Sequence, residues 1–119
     1  IDNHVKCGIE IDISSYEKPM RFRLVRPGSN WYTAGRTVEC ILEEMRSITF
    51  KIITPENKYY DEVVDISEIP FREGKTTRVS VSVRFVDSDR CNITIKDLGF
   101  GEFVKSSGKV ISKELVLRS

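Results

Sequence analysis

The feature that most constrains this chain is a two-residue alternation of apolar and polar side chains whose apolar members are mostly β-branched. Val79, Val81, Val83 and Phe85 alternate with Ser80, Ser82 and Arg84; Cys91, Ile93 and Ile95 alternate with Asn92, Thr94 and Lys96; Ile48, Phe50 and Ile52 alternate with Thr49 and Lys51. Successive side chains of a strand point to opposite faces, so each run buries one face and leaves the other in water. Val5 to Ile11 and Met20 to Leu24 alternate in the same way. Weaker strands are expected around Thr37 to Leu42, Tyr60 to Ile66 and Val110 to Leu117, about eight in all. The segment Glu39 to Arg46 contains Glu43, Glu44 and Met45, which favour a helical turn, and is read here as strand and loop.

Composition points the same way, with 13 Ile, 12 Val and 7 Thr against one Ala and five Leu, a bias toward pleated surfaces and away from the best helix formers. Turn residues fall between the runs at Lys18-Pro19, Pro27 to Asn30, Thr54 to Asn57, Pro70 to Gly74 and Gly99 to Gly101. The expected fold is all-β, an antiparallel β-sandwich of about eight strands. At 119 residues with 31% charged side chains the chain is long enough for one core and needs no staple, so residues 1–119 are read as a single domain. It begins at Ile1 rather than Met and is read as a fragment of a longer chain.

The charges nearly cancel, 19 basic against 18 acidic, leaving no long-range field to draw nucleic acid or anionic lipid. Cys7, Cys40 and Cys91 are odd in number and lack a close pair, which excludes a complete disulfide framework and favours a reducing, cytoplasmic setting. No apolar run approaches the ~18 residues of a spanning helix, so no membrane partner is expected.

Most catalytic and ligand-binding constellations fail on stoichiometry. His4 is the single histidine, and with Cys7 it falls short of the four ligands of structural zinc. A nucleophile–histidine unit would depend on the same terminal residue. Asp87 and Asp89 begin like a calcium loop, but Asn92 and Leu98 stand where Gly and Glu are required, so a hairpin turn is the better account. Gly99-Phe100-Gly101 has no following helix, and Ser107-Gly108-Lys109 lacks the rest of a P-loop. Asn92-Ile93-Thr94, a glycosylation sequon, lies inside a strand. No catalytic residue, metal or cofactor is expected. Arg21, Arg23 and Arg26 ahead of Trp31, Tyr32 and Arg36 loosely supply cations and a stacking platform for nucleic acid. Balancing acids elsewhere and a strand's ordinary solvated face count against that reading.

The order of motifs resembles the substrate-binding β-sandwich of the seventy-kilodalton heat-shock chaperones. Cys7-Gly8-Ile9-Glu10, Leu24-Val25-Arg26 and Ser47 to Ile52 look like its successive strands, and Ile1-Asp2 like the end of its interdomain linker. The run Val81 to Asp97 is similar, without a gap, to that family's paired strands with an acidic turn ending in Lys-Asp. Ser107-Gly108-Lys109 resembles the Ser-Gly-Lys that follows, here after an insertion containing Gly99 to Phe103.

The resemblance implies a channel for an extended apolar peptide, held by main-chain hydrogen bonds and one apolar pocket. By that correspondence Ile9, Val38, Ile48 and Phe50 line the pocket, Ile11 and Asp12 start one channel loop, and Ile41 belongs to the other. Partners would be unfolded or extended polypeptides and an actin-like ATPase domain of the same full-length chain. Phe50 and Ile48 are bulkier than the residues usual at their places, so the pocket is shallower or already filled. Arg90 stands where an apolar contributor is common and must reach water, Asp87 or Asp89. Acids between Asp12 and Lys18 and at Glu43 and Glu44 would favour a basic-apolar segment. Three readings follow, in this order: a peptide-binding module, a structural domain with a closed channel, and a nucleic-acid-binding barrel.

Overall fold

The alternating runs form eight strands in the computed structural model, which describes residues 3–15, 18–42, 46–69, 77–99 and 106–117. They are β1 (Gly8–Ser15), β2 (Lys18–Val25), β3 (Arg36–Leu42), β4 (Ser47–Ile53), β5 (Tyr59–Asp65), β6 (Thr77–Phe85), β7 (Arg90–Gly99) and β8 (Val110–Val116). All pairings are antiparallel and make two four-stranded sheets, ordered β2-β1-β4-β5 and β3-β6-β7-β8. The architecture is the expected β-sandwich. Among the described residues there is no helix, and hence none long and apolar enough to cross a membrane.

Two local readings are refined. Val5 is buried but precedes β1: its N–H donates to the Ser29 carbonyl, and its own carbonyl accepts from Gly28 N, both at 2.8 Å. Gly28 makes this approach possible by adopting φ +89°, a conformation open to glycine at no steric cost. Residues 39–42 are strand, because Cys40 pairs with Val79 and Ile41 with Arg78 across the sheet. Long-range pairing overrides a weak local preference for helix. Glu43, Glu44 and Met45 lie outside the described residues, as do Phe100 to Phe103 of the insertion.

The inward faces interdigitate in a core that includes Ile9, Ile11, Ile48, Phe50, Ile52, Val79, Val81, Ile93 and Ile95, each with no solvent exposure. The outer faces differ. Across the first sheet Arg23, Glu10, Lys51 and Asp61 stand opposite one another in a single rung of alternating charge. Across the second, the corresponding rung is Thr37, Ser82, Thr94 and Ser112, four hydroxyls. Thr37 and Ser82 share a hydrogen bond of 3.0 Å.

Each open side of the sandwich is clasped. Lys113 has the inward parity of Ile111 and Leu115 on edge strand β8, yet its ammonium crosses to β5, donating to the Val63 carbonyl at 3.2 Å beside Glu62 at 3.7 Å. On the far side Arg36 Nη1 of β3 donates to the Arg23 carbonyl of β2 at 3.0 Å. A charge pointing inward on an edge also blunts pairing with a foreign strand.

Toward the end of β7 Asp97 continues the inward parity of Ile93 and Ile95, opposite Val79 and just before a bulge at Arg78, and is 3% exposed. Its carboxylate accepts the Gly99 N–H at 2.9 Å and the Ser107 N–H at 3.0 Å, and its carbonyl accepts from the Ser106 hydroxyl. One buried carboxylate thus joins both ends of the β7–β8 connection. Asp97→Ala is expected to cost about 2–4 kcal/mol through lost charge-assisted bonds and stranded donors, and Asp97→Asn less. Urea unfolding midpoints at unchanged slope would measure it.

The turn between β6 and β7 satisfies Arg90 as anticipated: its Nε donates to Asp87 Oδ2 at 2.9 Å. Asp87 is held down at about 2, first by hydrogen bonding with the Asp89 side chain, then by the Asp89 N–H, then by Arg90, whereas Asp89 is raised by its hydrogen bond with Asp87. Stability from the depressed Asp87 is present above the ordinary carboxylate range and is lost as pH falls toward 2. Carboxyl-carbon NMR titration should show Asp87 ionising first and Asp89 later, and Arg90→Ala should move Asp87 upward.

Candidate functional site

The residues implied by the chaperone resemblance divide into three groups. Ile9 and Ile11 of β1 and Ile48 and Phe50 of β4 are brought together, with Ile11 directly opposite Phe50, and all four are wholly buried. Val38, 7% exposed, faces the same interior from β3. Asp12 is on the outer face, bound to Arg21 at 2.8 Å. Ile41 does not join the others: its register, alternate to buried Cys40, puts it on the outer face of the second sheet. The four central side chains are part of the core, the Phe50 ring among them with no exposure.

Beside them is a discontinuity in the first sheet. The β1–β4 ladder ends at Ile11 and Phe50, while β1 stays paired with β2 as far as Ser15 and β4 is already paired with β5 from Ser47. Among the described residues, Asp12 to Ser15 therefore have ladder partners on the β2 side alone, and Ser47 to Thr49 on the β5 side alone. Tyr16, Glu17 and Glu43 to Met45, which adjoin this divergence in sequence, lie outside the described residues.

Open concavities lie elsewhere. A cleft of about 400 Å³ separates the Trp31–Tyr32 pair from Arg84 and Phe85, and a second of about 270 Å³ lies between Arg26 and Arg36. Thr33 to Arg36 form the wall between them. Gly35 seats that wall against β6: an added Cβ would stand 2.6 Å from the Val83 carbonyl oxygen. Trp31 packs on the core, while Tyr32, edge-on to it with centroids 5.6 Å apart, is 63% exposed. A third, shallow trough of about 460 Å³ lies over the hydroxyl rung, between Arg84 and Lys96. The sequence reading singled out Trp31, Tyr32 and Arg36 but missed Arg84 and Lys96, whose place beside them depends on how β3, β6 and β7 align.

The cysteines offer no nucleophile. All three are buried free thiols; burial raises Cys7, pushes Cys40 to about 11 and, with Cys7 and Glu114 nearby, pushes Cys91 to about 12. They stay protonated at neutral pH. No group of three or more metal-ligating side chains occurs among the described residues.

Residues 4–117, which contain all eight strands, match DUF8552, a domain of unknown function. The chain belongs to that family. No curated protein and no solved structure is significantly similar to it. Within this DUF8552 domain, the buried aromatic ring and the close-packed wall make opposite demands on substitution. Phe50→Ala is expected to cost about 3–5 kcal/mol by leaving a core cavity. Gly35→Ala should cost about 1–3 kcal/mol because backbone cannot yield as a side-chain tip can. Chemical denaturation of each variant checks both.

Proposed function

We propose that this domain is a protein-interaction module that holds an extended polypeptide segment by main-chain pairing where β1 and β4 diverge. The carrying observation is the early end of the β1–β4 ladder: among the described residues, Asp12 to Ser15 and Ser47 to Thr49 have no ladder partner on the side where β1 and β4 part. An extended segment exchanges main-chain hydrogen bonds there without regard to its sequence. The resemblance of Val81 to Asp97 to the chaperone β-domain supports the same reading, and any ATPase activity would belong to a separate domain of a longer chain. The three free thiols accord with a reducing compartment such as the cytoplasm.

A second reading, a structural domain with a closed channel, draws on one specific observation: Ile48 and Phe50 have no exposure. With the ring in place, a guest side chain gains little apolar burial and affinity rests on backbone pairing. Fluorescence anisotropy with an array of labelled heptapeptides separates the two. Micromolar binding that disappears on N-methylation of alternate peptide amides, with slowed hydrogen exchange at Asp12 to Ser15 and Ser47 to Thr49, is the expected result. No binding across the array would leave the structural reading.

A further inference from the structure

The three clefts adjoin one another. The first two share Thr33 to Arg36, and the first and third share Thr37, Ser82 and Arg84. Its cations are Arg23, Arg26, Arg36, Arg84 and Lys96, all exposed. Although the chain carries 18 acidic side chains, none lines any of the three clefts among the described residues. Acids flank the clefts without lining them: Glu10 pairs with Arg23 at 3.5 Å, and on the outer face of the second sheet Glu39, 3.9 Å from Arg78, and Glu114 stand opposite the floor residues Ser80 and Asn92. A net charge of +1 thus conceals a track of clefts whose described lining carries five cations and no acid.

We propose that this track binds single-stranded nucleic acid. Tyr32 presents an open π-face beside Arg36 and Arg84, and the floor beyond it is hydroxyl and amide, from Ser80, Ser82, Thr94 and Asn92. Along β7 the trough runs from Asn92 to Lys96, about 13 Å at the usual strand rise, a span for a chain of phosphates rather than a single anion. An acidic peptide fits less well. The trough lies over β6 and β7, inner strands already paired on both sides, so a peptide would find no main-chain groups to bond there. A polymer carrying regular charge and stackable bases needs none.

The test is anisotropy of a labelled oligothymidylate of about a dozen nucleotides, titrated between about 50 and 200 mM salt. With three or four phosphates neutralised, binding should weaken about 18- to 50-fold over that range, since each contributes a logarithmic slope of about −0.7. Arg84→Glu with Lys96→Glu should lower affinity at least tenfold and flatten the slope by about 1.4. Tyr32→Ala should cost about five- to hundredfold, the worth of one stacked base. Lys58→Glu, on the remote β4–β5 turn, should change nothing. These side chains are exposed, and thermal melts confirm that each variant is folded. Absence of binding at about 50 mM salt, indifference to the double reversal, equal loss with Lys58→Glu, or competition by polyglutamate or thymidine monophosphate as strong as by unlabelled oligomer would each overturn the proposal.

Discussion

Contact between two inward-facing layers of β-branched side chains, closed around the ring of Phe50, is the constraint on which the rest of the domain depends. Phe50 is the largest side chain with no exposure, and Ile11, its partner across the ladder, is buried as completely. Interiors of this kind pack at crystal-like density. The space between the sheets is therefore filled by the domain's own residues, and recognition is displaced to where strands part, where loops stand off the core, and where an outer face is shallow. The β1–β4 divergence, the Thr33 to Arg36 wall and the hydroxyl trough are those three kinds of place.

The two outer faces divide the polar work. On the first sheet, charges of opposite sign face each other rung by rung, so Arg21 and Arg23 meet Glu10 and Asp12 at 2.8 to 3.9 Å. Such cross-strand pairs add modestly to stability and leave little field outside. On the second sheet the centre is hydroxyl and the cations stand at the margin, with Glu39 opposite Ser80 and Glu114 opposite Asn92 in the ladder. Electrostatic character here is a property of faces, and the summed charge of the chain describes neither.

Much of the fold was legible because period-two alternation reports strand and buried face together. The parity of Val79 to Phe85 and of Cys91 to Ile95 anticipates which residues the core takes. Arg90 was legible for a different reason: a guanidinium in a tight turn with Asp87 and Asp89 beside it has acids within reach, and takes Asp87, three residues away. Asp97 was not legible in the same way. A polar residue continuing an apolar parity reads as the end of a strand, and only the return of the chain at Ser107 supplies the second N–H that, with Gly99, satisfies the inward carboxylate. Ile41 shows the limit of correspondence by motif, since its neighbour Cys40 claims the interior and consigns it to the opposite face.

The amino-acid sequence by itself determined that this chain forms paired strands, which residues each strand turns inward, and that a typical catalytic or metal constellation has too few members. Alternation is a local property, and local sterics and burial are enough to read it. The tertiary structure alone decided that Ile11 and Phe50 end a ladder, that Gly35 lies against the Val83 carbonyl, and that Arg26, Arg36, Arg84 and Lys96 line adjoining clefts. Each of these joins residues distant along the chain, and only the register and stacking of the sheets, set by packing of the whole core, bring them within reach of one another.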